Sequence, residues 1–168
     1  ALSFSEEVRH RKADIAACGG VQGQLALRRQ AVEQALLRHC GDDSGSNDFG
    51  GFDAVAGRGG LLRPLPGGVY AVSPEMLSDL RSCRFGTHAS NLGAILAHDL
   101  AASAGTKALI ADPVVVDELG PLARYSGHPS IQRRSIFHAL NHKAVARRVA
   151  QELGRSYERS EERRVGKE

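Results

Sequence analysis

The sequence predicts an α/β fold, because segments with strand character alternate with amphipathic helices along the chain. Its 168 residues are 42% apolar and 24% charged, the balance of an ordinary globular protein. The stretch AVAGRGGLLRPLPGG, residues 54–68, holds five glycines, two prolines and two arginines, too many for the interior of a helix or strand. A basic, tightly turning segment therefore interrupts the regular pattern.

The first half of the chain predicts two helices, a loop and two strands. Apolar residues at helical spacing predict an amphipathic helix over residues 25–39, and glycine, serine and acidic residues predict a surface loop over 40–51. The segment 52–60 predicts a short strand that runs into the glycines, and 69–72 predicts a second strand. A brief helix follows, with Ser73 as its N-cap and Pro74 in its first turn.

The second half predicts two longer helices separated by a buried strand. Leucine and isoleucine at helical spacing predict a core-facing helix within residues 88–105, with Gly105 at its carboxyl end. Residues 108–111 are apolar throughout and predict a strand of buried type, which Asp112 and Pro113 end. A third helix is predicted over roughly 135–154, with three apolar residues on one face.

Composition excludes several classes of protein. A net charge of +3 is too small for a nucleic-acid scaffold, so we expect no nucleic-acid partner. No run of apolar residues is long enough for a membrane span, so we expect no membrane partner either. The three cysteines, without CxxC spacing, favour scattered thiols in a reducing compartment, and we therefore predict a cytoplasmic location.

Three places carry residues suited to chemistry. Arg58 lies among glycines that permit close backbone approach, and its guanidinium suits a carboxylate or phosphate, although a tight turn with a solvated arginine is the more common origin of such a pattern. Asp112 ends a buried strand, where α/β sheets bind ligands, but a turn-making aspartate is an equal alternative. His138 and His142 have the i, i+4 spacing of some metal sites, a spacing that surface or core histidines share.

Four stretches in order resemble the amino-terminal part of the butyrate kinases, within the acetate and butyrate kinase family. They are DAVAGRGGLLRPLPGGVYAV, HASNLGAILAHDLA, DPVVVDELGPLARYSG and RRSIFHALNHKAVARRVA. The resemblance runs from about Glu6 to about Gly154 and is densest from Phe52 onward. It implies an incomplete amino-terminal lobe of the duplicated actin-like, ribonuclease H-like kinase fold shared with hexokinase. It also implies phosphoryl transfer from ATP to a short-chain carboxylate, giving butanoyl phosphate from butanoate.

The resemblance also implies roles for particular residues. Arg58 matches the arginine that holds the carboxylate or the transferring phosphoryl group. Asp112 matches the aspartate near the magnesium ion and the reacting oxygens, and His138 the imidazole that steadies charge on the phosphoryl group. Four further residues are implied at the substrate site: Gly59, Gly60, His88 and Asn91. The acceptor carboxylate is itself the nucleophile, so none of the three cysteines is required.

The two ends depart from the family's pattern. We expect residues 1–157 to form the partial lobe and residues 158–168 to be a charged tail outside the family's sequence. The family's amino-terminal phosphate loop and its nucleotide-binding half are not matched, so we expect little or no kinase activity from this chain alone. Mg²⁺ and ATP remain the implied cofactor and co-substrate, and a homo-oligomer is compatible with the family.

Two alternatives stay open at the level of sequence. One is a kinase for acetate, propionate or a branched-chain acid, since the volume of the substrate pocket cannot be derived from these motifs. The other is a non-catalytic α/β module that binds an anion or a partner protein through the glycine turn and four arginines: Arg133, Arg134, Arg147 and Arg148.

Overall fold

The computed structural model describes residues 3–40, 51–136 and 138–159. Its centre is a three-stranded mixed sheet of β1 (Ala54–Arg58), β2 (Val69–Ala71) and β3 (Lys107–Ala111), in the order β1-β3-β2. β3 pairs in parallel with β1 and antiparallel with β2. With helices packed on this sheet, the predicted α/β class is confirmed.

Five α-helices accompany the sheet. They are α1 (Lys12–Ala17), α2 (Leu25–Cys40), α3 (Pro74–Arg81), α4 (Leu92–Ser103) and α5 (Ala139–Glu152). Short 3-10 turns directly precede α2 and α4, and a third lies at Pro121–Arg124. A fourth, Tyr157–Arg159, ends the described part of the chain. The N-cap predicted at Ser73 is present, since its hydroxyl oxygen accepts a hydrogen bond from the amide of Met76 at 3.2 Å.

Helix α4 packs across β1 and β3 and supplies much of the core. Leu92 and Ile95 of α4 are buried against Ile110 of β3, as its apolar face predicts. Two glycines permit this close approach: a Cβ on Gly57 would lie 2.3 Å from the carbonyl oxygen of Gly93, and one on Gly93 would lie 2.5 Å from that of Arg58. The glycine pair therefore sets the distance between the helix and the strand.

The last predicted helix is shorter than its sequence pattern indicates. Helix α5 begins at Ala139, whereas the pattern placed its start near Ser135. Ser135 is buried instead, and its hydroxyl donates to the carbonyl oxygen of Val116. His138 is consequently the N-cap residue, with φ −83° and ψ 76°, so the i, i+4 spacing of His138 and His142 does not place both residues within one helix.

Two predictions fall partly or wholly on undescribed residues. The loop predicted over 40–51 lies outside the described residues from 41 to 50, and most of the predicted tail, from 160 to 168, lies outside them as well. Within the described ranges, no helix combines the length and the apolar character needed to cross a bilayer.

Candidate active site at the carboxyl edge of β1 and β3

The parallel pairing of β1 and β3 brings two predicted site residues together. In this register Arg58 lies opposite Ala111, and Asp112 follows directly in the chain. The amide of Gly59 continues the ladder by donating to the carbonyl oxygen of Ala111 at 3.4 Å. The carboxyl ends of parallel strands are where open α/β sheets form ligand crevices, so this edge is the natural place for a site.

Asp112 is the most constrained residue at this edge. Its φ of 47° lies in the left-handed region, which aspartate tolerates better than most side chains. The residue is only 8% exposed. Oδ2 lies 3.0 Å from Nδ1 of His138 and 3.4 Å from Nη2 of Arg58, whereas Oδ1 is buried and has no hydrogen-bond partner among the described residues. Backbone strain and an unsatisfied buried oxygen in one residue are typical of functional positions.

The side chain of Arg58 is much less constrained than that of Asp112. Its side chain is 61% exposed, although one guanidinium nitrogen approaches Asp112. A pair at 3.4 Å whose guanidinium is largely exposed contributes little to stability. The guanidinium is therefore accessible to an anion from solvent, with several donors unused.

His138 reaches Asp112 from helix α5, which is anchored at two points. Ser135 binds the carbonyl oxygen of Val116, and Nζ of Lys143 donates to Oε2 of Glu118. Glu118 packs over Gly67, where a Cβ would lie 2.5 Å from Oε1 of that glutamate. The amino end of α5 is thus held against both the glycine-rich segment and the chain that follows β3, and this fixes the imidazole.

Gly59 and Gly60 form a tight turn directly after Arg58. Their φ angles are 86° and 109°, values that favour glycine. A Cβ on Gly59 would lie 2.9 Å from Cβ of Ser90, and one on Gly60 would lie 3.1 Å from Leu80. The turn is therefore closed to any larger residue on its protein side.

His88 lies beside this turn through its contact with Ser90. Nδ1 of His88 is 2.7 Å from Oγ of Ser90 and accepts a hydrogen bond from the Ser90 amide at 3.2 Å. Because Nδ1 accepts, a neutral ring carries its proton on Nε2. His88 is exposed, so its Nε2–H is available to a ligand near Gly59.

Asn91 is fully buried and bonded to the protein itself. Its Oδ1 accepts from the amide of Leu61 at 2.9 Å, and its Nδ2 donates to the carbonyl oxygen of Gly86 at 2.8 Å. The residue therefore holds the glycine turn in place. A substrate contact for Asn91, implied by the resemblance, stays a prediction.

Sequence reasoning missed three contributors to this region. Ser90 contacts both His88 and Gly59, Gly93 admits β1 to the surface of α4, and Cys83 accepts a weak hydrogen bond from Asn91 at 3.8 Å. An isolated glycine within a helical pattern is a signal for close packing, so Gly93 was detectable. In the described part of the chain, no group of three or more His, Cys, Asp or Glu side chains is arranged to hold a metal ion.

Comparison with known proteins finds similar relatives, of which three are described here. Each is named probable butyrate kinase. The protein from Listeria innocua is 49% identical over 156 residues, which cover 93% of this chain and 42% of the relative, and the protein from Enterococcus faecalis is 51% identical over 155 residues, which cover 92% and 41%. The protein from Coprothermobacter proteolyticus is 47% identical over 152 residues, which cover 90% of this chain and 41% of the relative. The predicted resemblance to the butyrate kinases is confirmed.

The butyrate kinase relatives are longer than this chain, which spans about two fifths of their length. No family model matches the chain. Among solved structures, an acetate kinase from Porphyromonas gingivalis superposes with a TM-score of 0.48 at 18% identity, covering 77% of this chain and 35% of that one.

Proposed function

We propose that this chain provides the carboxylate- and phosphoryl-binding edge of a short-chain carboxylate kinase, which converts ATP and butanoate to ADP and butanoyl phosphate. The observation that carries the proposal is the convergence of Arg58 and His138 on one carboxylate oxygen of Asp112. Similarity to proteins named probable butyrate kinase over more than nine tenths of the chain supports butanoate as the acceptor.

Arg58 would bind the negative charge of the reactants. Phosphoryl transfer needs little covalent assistance from the protein and much positive charge around the moving group. An exposed guanidinium at the edge of a sheet offers paired donors to a carboxylate or to phosphoryl oxygens. A carboxylate oxygen of butanoate attacks the γ-phosphorus, and the bond from that phosphorus to the bridging oxygen of ADP breaks.

His138 would stabilise charge on the transferred group, with Asp112 as its support. When Nδ1 donates to Oδ2 of Asp112, the ring is held in one orientation and Nε2 is left for the phosphoryl oxygens. Only the protonated ring carries a hydrogen on Nε2 as well as on Nδ1, so that form would donate to the phosphoryl oxygens. His88 offers a second imidazole donor beside Gly59.

Asp112 also fits a magnesium ion. Its Oδ1 is buried and without a partner among the described residues, and a carboxylate oxygen is the ligand that Mg²⁺ prefers. Bound beside the phosphates, the ion would supply positive charge that neutralises the developing negative charge. Asp112 would hold it through Oδ1 while Oδ2 orients His138.

We place the protein in the cytoplasm, and self-association stays a prediction.

A chimera tests the proposal. This chain would replace the matching part of the Enterococcus faecalis relative, and acyl phosphate formed from ATP, magnesium and butanoate would be trapped with hydroxylamine. We expect turnover by the chimera, a loss on the order of 10²-fold in Arg58→Gln and no loss in Arg81→Gln, an exposed arginine of α3. We expect little or no turnover by the chain alone.

Two results would overturn the proposal. One is full turnover in a folded Arg58→Gln chimera, which would remove the arginine from the reaction. The other is a folded chimera, verified by circular dichroism, that forms no hydroxamate from butanoate.

A further inference from the structure

A second cavity lies beside the candidate active site. Its volume is about 620 Å³, within the range of small-molecule sites. Leu61 follows Arg58 by three residues, Val115 follows Asp112 by three, and Ile136 precedes His138 by two, and all three line this cavity. The cavity therefore adjoins the site, within about 11 Å of chain from each of its residues. Among the described residues, its walls include none of the three site residues.

The cavity has an apolar wall. Leucine, phenylalanine, valine and isoleucine side chains from four separate segments contribute to it: Leu61, Leu62, Phe85, Val115 and Ile136. Leu62 and Val115 belong to the buried core, whereas Ile136 and Phe85 are 63% and 41% exposed. Large exposed apolar side chains around a cavity are typical of a surface that binds an apolar group.

The lining of the cavity carries unpaired positive charge. Three arginines and one aspartate line it, so the lining charge is +2. Arg124 is already engaged, since it donates to Oδ2 of Asp117 at 3.0 Å and to the carbonyl oxygen of Leu119. Arg133 and Arg134 are exposed, and neither side chain has a hydrogen-bond or ion-pair partner in the described part of the chain. Two adjacent guanidiniums over an apolar wall complement an anion that bears a hydrocarbon tail.

The size of the cavity favours a ligand longer than butanoate. Its volume of about 620 Å³ lies within the range of sites that bind small organic molecules, which are larger than butanoate. Butanoate, with a three-carbon tail, would leave much of the apolar wall in contact with water. A carboxylate with a longer unbranched chain covers the wall and keeps its charge at the arginines.

We propose that this cavity is a binding site for medium-chain carboxylates, separate from the site at Arg58 and held by Arg133 and Arg134. The inference goes beyond the proposed kinase function and does not depend on it. A ligand in this cavity contacts Leu61 and Leu62, which directly follow the glycine turn, so occupancy covers one side of that turn.

Calorimetric titration of the full chain with octanoate tests this inference. We expect saturable binding at least about tenfold tighter than that of butanoate, no binding of octylamine, and weakening by salt. The double variant Arg133→Gln/Arg134→Gln should lower octanoate affinity at least about tenfold. The matched double variant Arg147→Gln/Arg148→Gln removes the same charge from α5, outside the cavity, and should retain the affinity.

Two further variants separate the possible sites. Ile136→Gln should weaken octanoate binding, because it replaces part of the apolar wall with a polar side chain. Arg58→Gln should leave octanoate binding intact. Loss of octanoate binding in Arg58→Gln with retention in Arg133→Gln/Arg134→Gln would place the ligand at the candidate active site and overturn the inference, as would the absence of saturable octanoate binding.

Failure of the proposed kinase function is distinguishable from failure of this inference. An inactive chimera with octanoate binding that depends on Arg133 and Arg134 would leave the second site standing. Conversely, an active chimera whose chain binds octanoate no better than butanoate would remove the second site alone.

Discussion

Nδ1 of His138 lies 3.0 Å from Oδ2 of Asp112, although 26 residues separate the two in the chain. The contact joins His138, the N-cap of α5, to Asp112, the residue that follows β3. The hydrogen bond of Ser135 anchors the chain just before His138, and the pairing of β1 with β3 positions Asp112. Asp112 is therefore a fixed point on which an imidazole and a guanidinium converge.

Replacing Asp112 with asparagine should remove activity while preserving the fold. Asparagine accepts the left-handed backbone and the same volume, but it provides no negative charge for His138 or for a magnesium ion. We expect turnover of the chimera to fall on the order of 10²-fold or more, with the circular dichroism spectrum unchanged. Asp53→Asn, at the amino end of β1, is the matched control and should be active. An Asp112→Asn chimera with normal turnover would show that the carboxylate has no part in the reaction.

Gly93→Ala should destabilise the protein strongly. The new Cβ would lie 2.5 Å from the carbonyl oxygen of Arg58, and because that oxygen belongs to the backbone of β1, β1 and α4 must separate. We expect a loss of about 1–3 kcal/mol in the free energy of unfolding, measured by urea denaturation. Gly120→Ala is the control, since its φ is −63° and no atom lies within 4 Å of the new Cβ. Equal stability of the two variants would contradict the close approach.

The sequence was sufficient to predict the main residues of the candidate site, but not the long-range hydrogen bonds that hold them in position. Asp112 was identifiable because an apolar run ends there, and Arg58 was identifiable because glycines surround it. The parallel pairing of β1 and β3 then brings the two residues together in the structure. The start of α5 was misplaced because apolar spacing continues upstream, while the hydroxyl of Ser135 is committed to a carbonyl oxygen 19 residues away. Such long-range hydrogen bonds leave no local signal, and the same is true of the bond that Asn91 accepts from the amide of Leu61.

Asn91→Ala should loosen the glycine turn. The substitution leaves the amide of Leu61 and the carbonyl oxygen of Gly86 without their partner in a buried environment, at a cost of about 1–3 kcal/mol for each unsatisfied group. We expect lower stability and faster hydrogen exchange of the Leu61 amide. Asn91→Asp provides the comparison, because its carboxylate still accepts from Leu61 but repels the carbonyl oxygen of Gly86. Unchanged exchange at Leu61 in Asn91→Ala would show that the turn is held by other contacts.

Cys83 should react with alkylating agents at a lower pH than an ordinary thiol. Its pKa lies below the usual value, chiefly because Gln22 donates to Sγ at 3.4 Å and, to a smaller extent, because Thr87 and Asn91 donate as well, against the opposing effect of burial. The folded state therefore favours the thiolate, and this contribution to stability is present above the unfolded pKa and lost as pH falls through the folded pKa.

The pH dependence of iodoacetamide labelling at Cys83, followed by mass spectrometry, measures this effect. We expect its midpoint to lie below that of an unperturbed thiol, near 8.5, and to move upward in Gln22→Leu, which removes the strongest donor. Cys40, which is exposed and which Gln22 does not contact, should be labelled to the same extent with and without Gln22→Leu and serves as the internal control. If Cys83 titrates as an ordinary thiol and does not respond to Gln22→Leu, the hydrogen bond from Gln22 does not stabilise the thiolate.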